Sequence, residues 1–172
     1  MSEFRVRPFE AGDANEFFAA VIESQRDVYT WLPWCHPDYT LAEAEEWVEA
    51  KRADWEKGAE WQFVITTQAG DLVGGCGLNS INHDHEFANL GYWIRSSAVC
   101  QGAASSGIAL VRDWAFENTK LVRLEILAAL GNVGSMRAAE KAGAIREGTL
   151  RKRLHIHGVD HDAAVYSFVR DK

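Results

Sequence analysis

The chain has 172 residues, of which 47% are hydrophobic and 25% charged, a balance that fits one domain spanning residues 1–172. Its formal net charge of −7 disfavours nucleic acid as a partner, and no apolar run approaches the ~18 residues that span a membrane. Three widely spaced cysteines do not form the pattern of a disulfide framework, so we expect a protein of the reducing cytoplasm.

The N-terminal part is predicted to contain a strand and two helices. Residues Phe4–Pro8 alternate between apolar and polar and predict the strand. We expect Asp13 to cap a helix that ends near Ser24, followed by an irregular aromatic stretch over Val28–Tyr39. The second helix begins within Thr40–Glu43, whose sequence matches the capping box.

Three strands follow, over Trp61–Thr66, Leu72–Leu78 and Glu86–Arg95, and they predict an antiparallel meander. The second strand contains the glycine-rich run Gly74–Gly77. Glycine inside a strand marks a bulge or a place where two backbones approach closely. We therefore interpret this run as a packing feature rather than as a phosphate-binding loop.

The C-terminal part alternates helices and strands and closes with a hairpin. Its predicted elements are a helix over Gln101–Asn118, a strand over Arg123–Leu130, a helix capped by Asn132 that stops at Gly143, and strands over Glu147–Ile156 and Ala163–Val169 joined through His157–Asp160. The order βααβββαβαββ places helices and a mixed sheet in one domain of the α/β (α+β) class. It excludes the regular alternation of a doubly wound fold.

A loop of small residues lies between the last strand of the meander and the following helix. Residues Val99–Ser106 enter that helix, and Gly102, Ala103 and Ala104 allow a ligand to approach the backbone closely. Free amides at a helix N-terminus bind phosphate or pyrophosphate. The alternative is a tight turn that binds nothing, since the chain has neither the P-loop sequence nor the dinucleotide fingerprint.

A second candidate for ligand binding is the start of the next helix. Asn132 fits a helix cap, and Ser135 follows three residues later in the first turn. A hydroxyl group in that turn would donate a hydrogen bond to a ligand that enters between the two preceding strands.

The order and spacing of short motifs along almost the whole chain resemble the GNAT acetyltransferases, and among them the RimJ/RimL type that acetylates the N-termini of ribosomal proteins. The motifs are Arg5-Val6-Arg7-Pro8, Trp31-Leu32-Pro33-Trp34, Gly91-Tyr92-Trp93-Ile94, the glycine-containing loop with its helix, Asn132-x-x-Ser135, Glu140-Lys141-Ala142-Gly143, Arg146-Glu147-Gly148 and Gly158-x-x-x-Asp162. No single motif is specific, and the resemblance rests on their order.

The resemblance implies the GNAT fold, a mixed, mostly antiparallel central sheet of about seven strands flanked by four helices and splayed open between Ile94 and Arg123. Acetyl-CoA would bind in that opening as co-substrate, with no metal. The implied contacts are the backbone of Tyr92, Trp93 and Ile94 on the pantetheine arm, the backbone of Gln101, Gly102, Ala103, Ala104 and Ser105 on the pyrophosphate, and Asn132 and Ser135 near the pantetheine and the sulfur. Val99 replaces the polar residue that is usual in the family's phosphate loop.

The implied reaction is transfer of the acetyl group to a primary amine, with a protein or peptide N-terminal α-amine as the expected acceptor. Two alternatives stay open: a small-molecule amine as acceptor, and an acyl-CoA-binding module without turnover. Transfer requires that the amine lose a proton and that the leaving thiolate be stabilised. We assign the stabilisation of the leaving thiolate to Ser135, which would act as hydrogen-bond donor or general acid. The candidate bases are Glu86, His155 and Glu147, and on an unbroken strand Glu86 would share a face with Tyr92.

The aromatic stretch contains candidates for the acceptor cleft. Trp31, Trp34 and Tyr39 would line that cleft, or would instead pack the first two helices against the sheet. The chain's seven tryptophans are compatible with an apolar interface, and hence with a homodimer.

Paired histidines raise the alternative of a zinc site. The pairs are His83 with His85 and His155 with His157, each on one face if the chain is extended there. Turns and hairpin ends also collect histidine without metal, and we predict no metal site.

Overall fold

The computed structural model describes residues 3–171, and these residues form seven strands and four α-helices in the predicted order. In chain order the elements are β1 Phe4–Pro8, α1 Ala14–Val28, α2 Leu41–Lys57, β2 Trp61–Thr67, β3 Leu72–Asn82, β4 Phe87–Ile94, α3 Ala103–Asn118, β5 Arg123–Ala129, α4 Val133–Lys141, β6 Ile145–Ile156 and β7 Val159–Val169. Short 3₁₀ turns over Ala11–Asp13 and Ser96–Ala98 precede α1 and α3. Among these helices none is long and apolar enough to cross a membrane.

The seven strands of the described residues form one sheet in the order β1-β2-β3-β4-β5-β7-β6. Every neighbouring pair is antiparallel except β4 and β5, which run parallel. Strands β2, β3 and β4 form the predicted meander, and β7 lies between β5 and β6. The predicted mixed, mostly antiparallel sheet with four helices is confirmed.

The helices cover both faces of the sheet, as the alternation of residues along β2 shows. Phe63 and Ile65 belong to the core that includes residues of α3 and α4, whereas Val64 belongs to the core beneath α1 and α2. Successive side chains of a strand point to opposite faces. Helices α1 and α2 therefore form one layer, and α3 and α4 form the other.

The two helix starts predicted near the N-terminus have different outcomes. Asp13 does not cap α1; its buried carboxylate accepts two hydrogen bonds from the Arg7 guanidinium and one from the Glu10 amide, each of 2.7 Å. The ion pair with β1 therefore replaces the cap. The capping box of α2 is confirmed, because Thr40 Oγ1 accepts from the Glu43 amide at 3.2 Å and the Thr40 amide donates to the Glu43 carboxylate at 2.8 Å.

The closing hairpin turns more tightly than predicted. Strand β7 begins at Val159, so that His157 and Gly158 alone form the turn, with φ of +49° and +77°. Positive φ at both central residues is typical of a type I′ turn, whose twist matches that of the flanking strands. Because the last residue of β5 pairs with Ala163 of β7, residues 151–162 project beyond the end of β5. We call this projection the hairpin arm.

The glycine-rich run of β3 is a place of close backbone approach, as predicted. Gly74 pairs with Ile94, the last residue of β4. A Cβ atom on Gly74 would collide with the carbonyl oxygen of Trp93 and lie 2.9 Å from Ile94 Cδ1. The absence of a side chain at Gly74 therefore holds the end of β4 close to β3.

We expect Gly74→Ala to lower the free energy of unfolding by about 1–3 kcal/mol, because the added methyl group meets backbone that cannot move aside. Urea unfolding followed by tryptophan fluorescence measures the change. Gly148→Ala on β6 is the matched control, since a Cβ atom there has no neighbouring heavy atom within 4 Å. That variant should change the free energy by less than about 0.5 kcal/mol. Equal losses at the two positions would contradict the close approach.

Candidate active site

A gap opens in the sheet between β4 and β5. These parallel strands pair only where Phe87–Asn89 lies beside Arg123–Glu125. Farther along β4, Leu90–Ile94 pairs with β3 on one edge, and among the described residues nothing pairs with the other edge. Strand β5 continues beside β7. The predicted splay of the sheet is confirmed. Unpaired N–H and C=O groups along a strand edge can bind an extended ligand as an added strand.

Two hydroxyl groups meet across the gap, one from β4 and one from the first turn of α4. Tyr92 Oη donates to the Ser135 carbonyl oxygen at 2.8 Å and lies 2.9 Å from Ser135 Oγ. A hydroxyl group has one proton to donate, so while Tyr92 Oη donates to the carbonyl, Ser135 Oγ is the donor in the second contact. Burial raises the pKa of Tyr92, so the phenol stays protonated at neutral pH and serves as a donor rather than a base.

The role of the Tyr92 side chain was missed by the sequence analysis, which assigned only its backbone. Strand alternation is enough to place Tyr92 with Leu90 and Ile94 on the face covered by α3 and α4. Its partner Ser135 is 43 residues away in the chain. Only the packing of α4 over the gap brings the two hydroxyl groups together.

Asn132 caps α4, as predicted. Its Oδ1 atom accepts a hydrogen bond of 3.1 Å from the Ser135 amide. Within residues 3–171 the side-chain NH₂ group of Asn132 donates no hydrogen bond, so its two protons are available to a ligand. The cap thus orders the first turn of α4, in which Ser135 lies.

The loop between β4 and α3 turns sharply before the helix begins. Cys100 and Gly102 have φ of +62° and +90°, and α3 begins at Ala103 rather than at the predicted Gln101. The Gln101 side chain instead donates to the Ser97 carbonyl at 3.0 Å. The first turn of α3 consists of the small residues Ala103, Ala104 and Ser105. Amides in a first turn lack intrahelical partners, so this loop presents donors to an anion.

The Lys141 ammonium group lies beside this loop, and the sequence analysis did not single it out as a ligand. Helix α4 ends at Lys141 and packs against α3, so that a methyl group on Gly102 would lie 3.8 Å from Lys141 Nζ. The loop therefore combines helix-terminal amides with a positive charge. Both features favour binding of phosphate.

The aromatic stretch after α1 crosses the open end of the gap. Helix α1, from which it continues, is hydrogen-bonded to the loop after β4. A Cβ atom on Gly131, just past β5, would lie 2.8 Å from the Trp31 ring. His157 at the tip of the hairpin arm donates from Nε2 to the Tyr29 carbonyl at 2.7 Å. The stretch and the arm together border an entrance to the gap.

The three aromatic residues predicted for the acceptor cleft lie in different places. Trp31 is at the entrance, whereas Tyr39 is 8% exposed in the core beneath α1 and α2, where burial raises its pKa to about 12. Trp34 lies between Phe17 and Trp93, with ring centroids 6.4 and 5.7 Å away, and is 37% exposed. Tyr39 therefore packs the helices against the sheet, which was the alternative. Acceptor contacts of Trp31 and Trp34 stay a prediction.

Glu86 does not lie where the sequence analysis expected it. Its φ is +51° and β4 begins at Phe87, so the strand is not unbroken from Glu86 to Tyr92 and the argument from a shared face is wrong. Glu86 lies at the paired end of the gap, where its carbonyl accepts from the Val122 amide at 2.7 Å. Six residues of strand correspond to about 20 Å, which separates Glu86 from Tyr92.

The other two candidate bases are on β6. His155 is exposed on the hairpin arm, with Nδ1 2.8 Å from an Asp160 carboxylate oxygen. The Glu147 carboxylate accepts hydrogen bonds from the Arg123 guanidinium and, at 2.7 Å, from the Ser167 hydroxyl, and these bonds lower its pKa to about 2. A carboxylate that is this weakly basic is poorly suited to take a proton from an amine. Glu86 and His155 stay predictions for the base.

The histidine pairs do not come together as a set of metal ligands. His83 and His85 lie in the turn between β3 and β4 rather than on one strand face. In the part of the chain that the structure describes, no group of three or more His, Cys, Asp and Glu side chains could hold a metal ion.

Comparison with known proteins relates the chain to one family. The sequence model of the Acetyltransferase (GNAT) domain matches residues 3–145. A protein of Bacillus subtilis (strain 168) named probable N-acetyltransferase YjcK is 33% identical over 168 residues, which cover 95% of this chain and 92% of the relative.

Solved structures share the fold along nearly the whole chain. An acetyltransferase from Salmonella typhimurium that modifies the N-terminal serine of ribosomal protein L7/L12 has a TM-score of 0.88 at 18% identity, covering 99% of this chain and 97% of that chain. RimJ of Mycobacterium smegmatis, solved in complex with CoA-disulfide, has a TM-score of 0.87 at 23% identity, covering 96% and 81%. At these identities the likeness establishes the fold.

We expect Glu147→Gln to reduce stability at pH 7, because the folded chain holds this carboxylate ionised beside Arg123. Its folded pKa of about 2 lies below the ordinary 4.5, so the stabilisation is present above about pH 4.5 and is lost as the pH falls towards 2. Urea unfolding at pH 7 and pH 3 should therefore show a smaller difference between wild type and variant at pH 3. Glu49→Gln, which breaks an exposed pair with Arg52, is the control and should have little effect at pH 7. A Glu147→Gln difference equal at both pH values would contradict this ion pair.

Proposed function

The chain belongs to the GNAT acetyltransferase family, and on that premise we propose that it is a single acetyltransferase domain that transfers the acetyl group of acetyl-CoA to the N-terminal α-amine of a protein or peptide. The observation that carries the proposal is the gap between β4 and β5. A free strand edge, the N-terminus of α3 and the Tyr92–Ser135 hydroxyl pair all border it.

The residues along the gap suit the chemical groups of acetyl-CoA in the order in which these groups follow one another along the ligand. The backbone of Tyr92, Trp93 and Ile94 forms the free edge of β4 and would pair with the amides of the pantetheine arm. The amides at Gly102 and in the first turn of α3, together with Lys141, would hold the pyrophosphate. The RimJ relative was solved in complex with CoA-disulfide, which supports CoA as the ligand of the gap.

The hydroxyl pair would stabilise the leaving group. Ser135 Oγ would donate its proton to the sulfur as the thiolate leaves, while the protonated Tyr92 phenol keeps its hydrogen bond to the Ser135 carbonyl and so holds Ser135 in place. A backbone N–H on the free edge of β4 would stabilise the negative charge that develops on the thioester carbonyl oxygen. Direct attack by the amine in a ternary complex needs no covalent enzyme intermediate.

A protein N-terminus as acceptor is supported by chemistry and by relatives. An α-amine has an ordinary pKa of ~7.7–8.0, against ~10.4 for lysine, so more of it is free to attack near neutral pH. The Salmonella relative modifies an N-terminal serine. Cys35, Cys76 and Cys100 are free thiols, which supports a reducing, cytoplasmic location. Of the candidate bases, His155 on the hairpin arm is closer to the entrance than Glu86 at the paired end.

Mass spectrometry of the acetylated products tests the proposal. The purified chain and acetyl-CoA are incubated with peptides that have a free N-terminus, with N-blocked peptides that contain lysine, and with polyamines. Product masses are preferable to a thiol reagent because Cys100 is exposed. Acetylation of free N-termini is the expected result. Turnover of polyamines alone would favour the small-molecule alternative, CoA binding without any product would favour a binding module, and no affinity for CoA would contradict the proposal.

We expect Ser135→Ala to lower kcat by about 100-fold, because it removes the donor to the leaving thiolate, and to change the KM for acetyl-CoA little. Tyr92→Phe should lower kcat by about tenfold, since Ser135 keeps its hydroxyl but loses its partner. Steady-state kinetics at saturating peptide measures both. Thr149→Ala, which removes an exposed hydroxyl from β6, is the control. An unchanged kcat for Ser135→Ala would remove Ser135 from the chemistry.

We expect Lys141→Gln to raise the KM for acetyl-CoA by about tenfold with kcat nearly unchanged, because the ammonium group neutralises the pyrophosphate in ground state and transition state alike. Lys120→Gln, an exposed lysine just past the far end of α3, is the matched control and should leave the KM unchanged. A KM effect of equal size in both variants would mean that net charge, not the loop, is responsible.

A further inference from the structure

The hairpin arm carries a concentration of positive charge beside the entrance to the gap. Arg151, Lys152 and Arg153 are the only three consecutive basic residues in a chain whose formal net charge is −7. All three are exposed. We call these residues the basic bulge.

A β-bulge holds these side chains out of the regular ladder. The pairing of β6 with β7 is regular from Gly148 to Leu150 and resumes at Leu154, so three residues of β6 face the single residue Asp162. Lys152 has a φ of +49°, and its amide donates to Asp162 Oδ1 at 2.8 Å. Bulges of this kind re-aim side chains and are common beside functional sites.

Two of the three cations form no ion pair with the residues that the structure describes. Lys152 Nζ lies 3.5 Å from an Asp160 carboxylate oxygen. The side chains of Arg151 and Arg153 make no hydrogen bond or ion pair with any other residue between 3 and 171. A free guanidinium group matches the geometry of a carboxylate and binds it with two parallel hydrogen bonds.

Asp162 also connects the bulge to the candidate active site. Its carbonyl accepts from the Leu130 amide at 3.1 Å, and Leu130 leads directly into the turn capped by Asn132 and then to Ser135. Two strand spacings place the bulge about 10 Å from Leu130. An extended peptide covers about 3.3 Å per residue, so an acceptor whose amine reaches the gap would pass the bulge at about its third to sixth residue.

We propose that the basic bulge binds carboxylate side chains near the acceptor's N-terminus, so that the preferred acceptors are protein N-termini with Asp or Glu at about positions three to six. This inference rests on the proposed transfer to an N-terminal α-amine. The same charges repel polyamines, which matches the choice of a peptide acceptor. The net charge of −7 opposes a nucleic acid as the partner of the bulge.

The test compares peptides that are identical except at positions three to six, which carry Asp and Glu in one and Asn and Gln in the other. At saturating acetyl-CoA and low salt, kcat/KM should favour the acidic peptide by about three- to tenfold, and 0.5 M salt should reduce that ratio. The double variant Arg151→Gln/Arg153→Gln should lose the preference and keep the wild-type KM for acetyl-CoA.

The matched control is Arg5→Gln/Lys57→Gln, which removes the same charge from exposed residues of β1 and α2. Because β1 and β6 are opposite edges of the sheet, this variant should keep the preference. A preference that is absent in wild type, or that survives in the bulge variant, would overturn the inference while leaving acetylation of N-termini intact.

Binding of fluorescent acidic and amide peptides, measured by anisotropy, separates this inference from the proposed function. If no peptide is acetylated, the proposed function fails, and tighter binding of the acidic peptide that depends on the bulge would still support recognition of carboxylates. Equal binding of both peptides would overturn it. Inhibition by RNA that depends on Arg151 and Arg153, without preference for acidic peptides, would instead identify a nucleic-acid contact.

Discussion

The parting of β4 from β5 after three parallel pairs is the constraint on which the candidate site depends. A parallel pair needs a crossover, here α3, and such a crossover places the N-terminus of the following helix at the carboxyl end of its strand. Both α3 and α4 therefore begin at the open end of the gap. Helix α3 supplies the first-turn amides that follow the loop after β4, and α4 supplies Ser135 together with its cap Asn132. The free edge of β4 lies between them.

The rest of the fold keeps this opening in place. At its closed end, Arg123 binds Glu125 at 2.8 Å and also pairs with Glu147, which ties β5 to β6. Along β4, the missing side chain of Gly74 lets β3 approach closely. Helix α4 is held from two sides, by the Tyr92–Ser135 contacts and by a hydrogen bond of 2.7 Å from Tyr166 to Glu140. Rigid elements thus position both sides of the gap, which favours precise placement of reacting groups.

Local patterns in the sequence were reliable where a short segment decides the outcome. Three such predictions are confirmed. The capping box at Thr40 and the cap at Asn132 depend on a partner three residues away, and the glycine-rich run of β3 depends on the general rule that glycine lets strands approach closely. Predictions failed where a distant partner competes. Asp13 binds Arg7 of β1 instead of capping α1, and a left-handed residue at Glu86 ends the strand on which the argument about the base depended.

By itself the sequence determined the order of elements and the mixed sheet flanked by helices, because period and turn chemistry are local properties. The segments that border the gap followed from the resemblance to the GNAT family. Which groups face one another was decided only by the tertiary structure. The pairing of Tyr92 with Ser135, the position of Lys141 beside Gly102 and the burial of Tyr39 each require two elements to pack at a set distance. Only packing fixes such distances, and neither spacing along the chain nor composition records them.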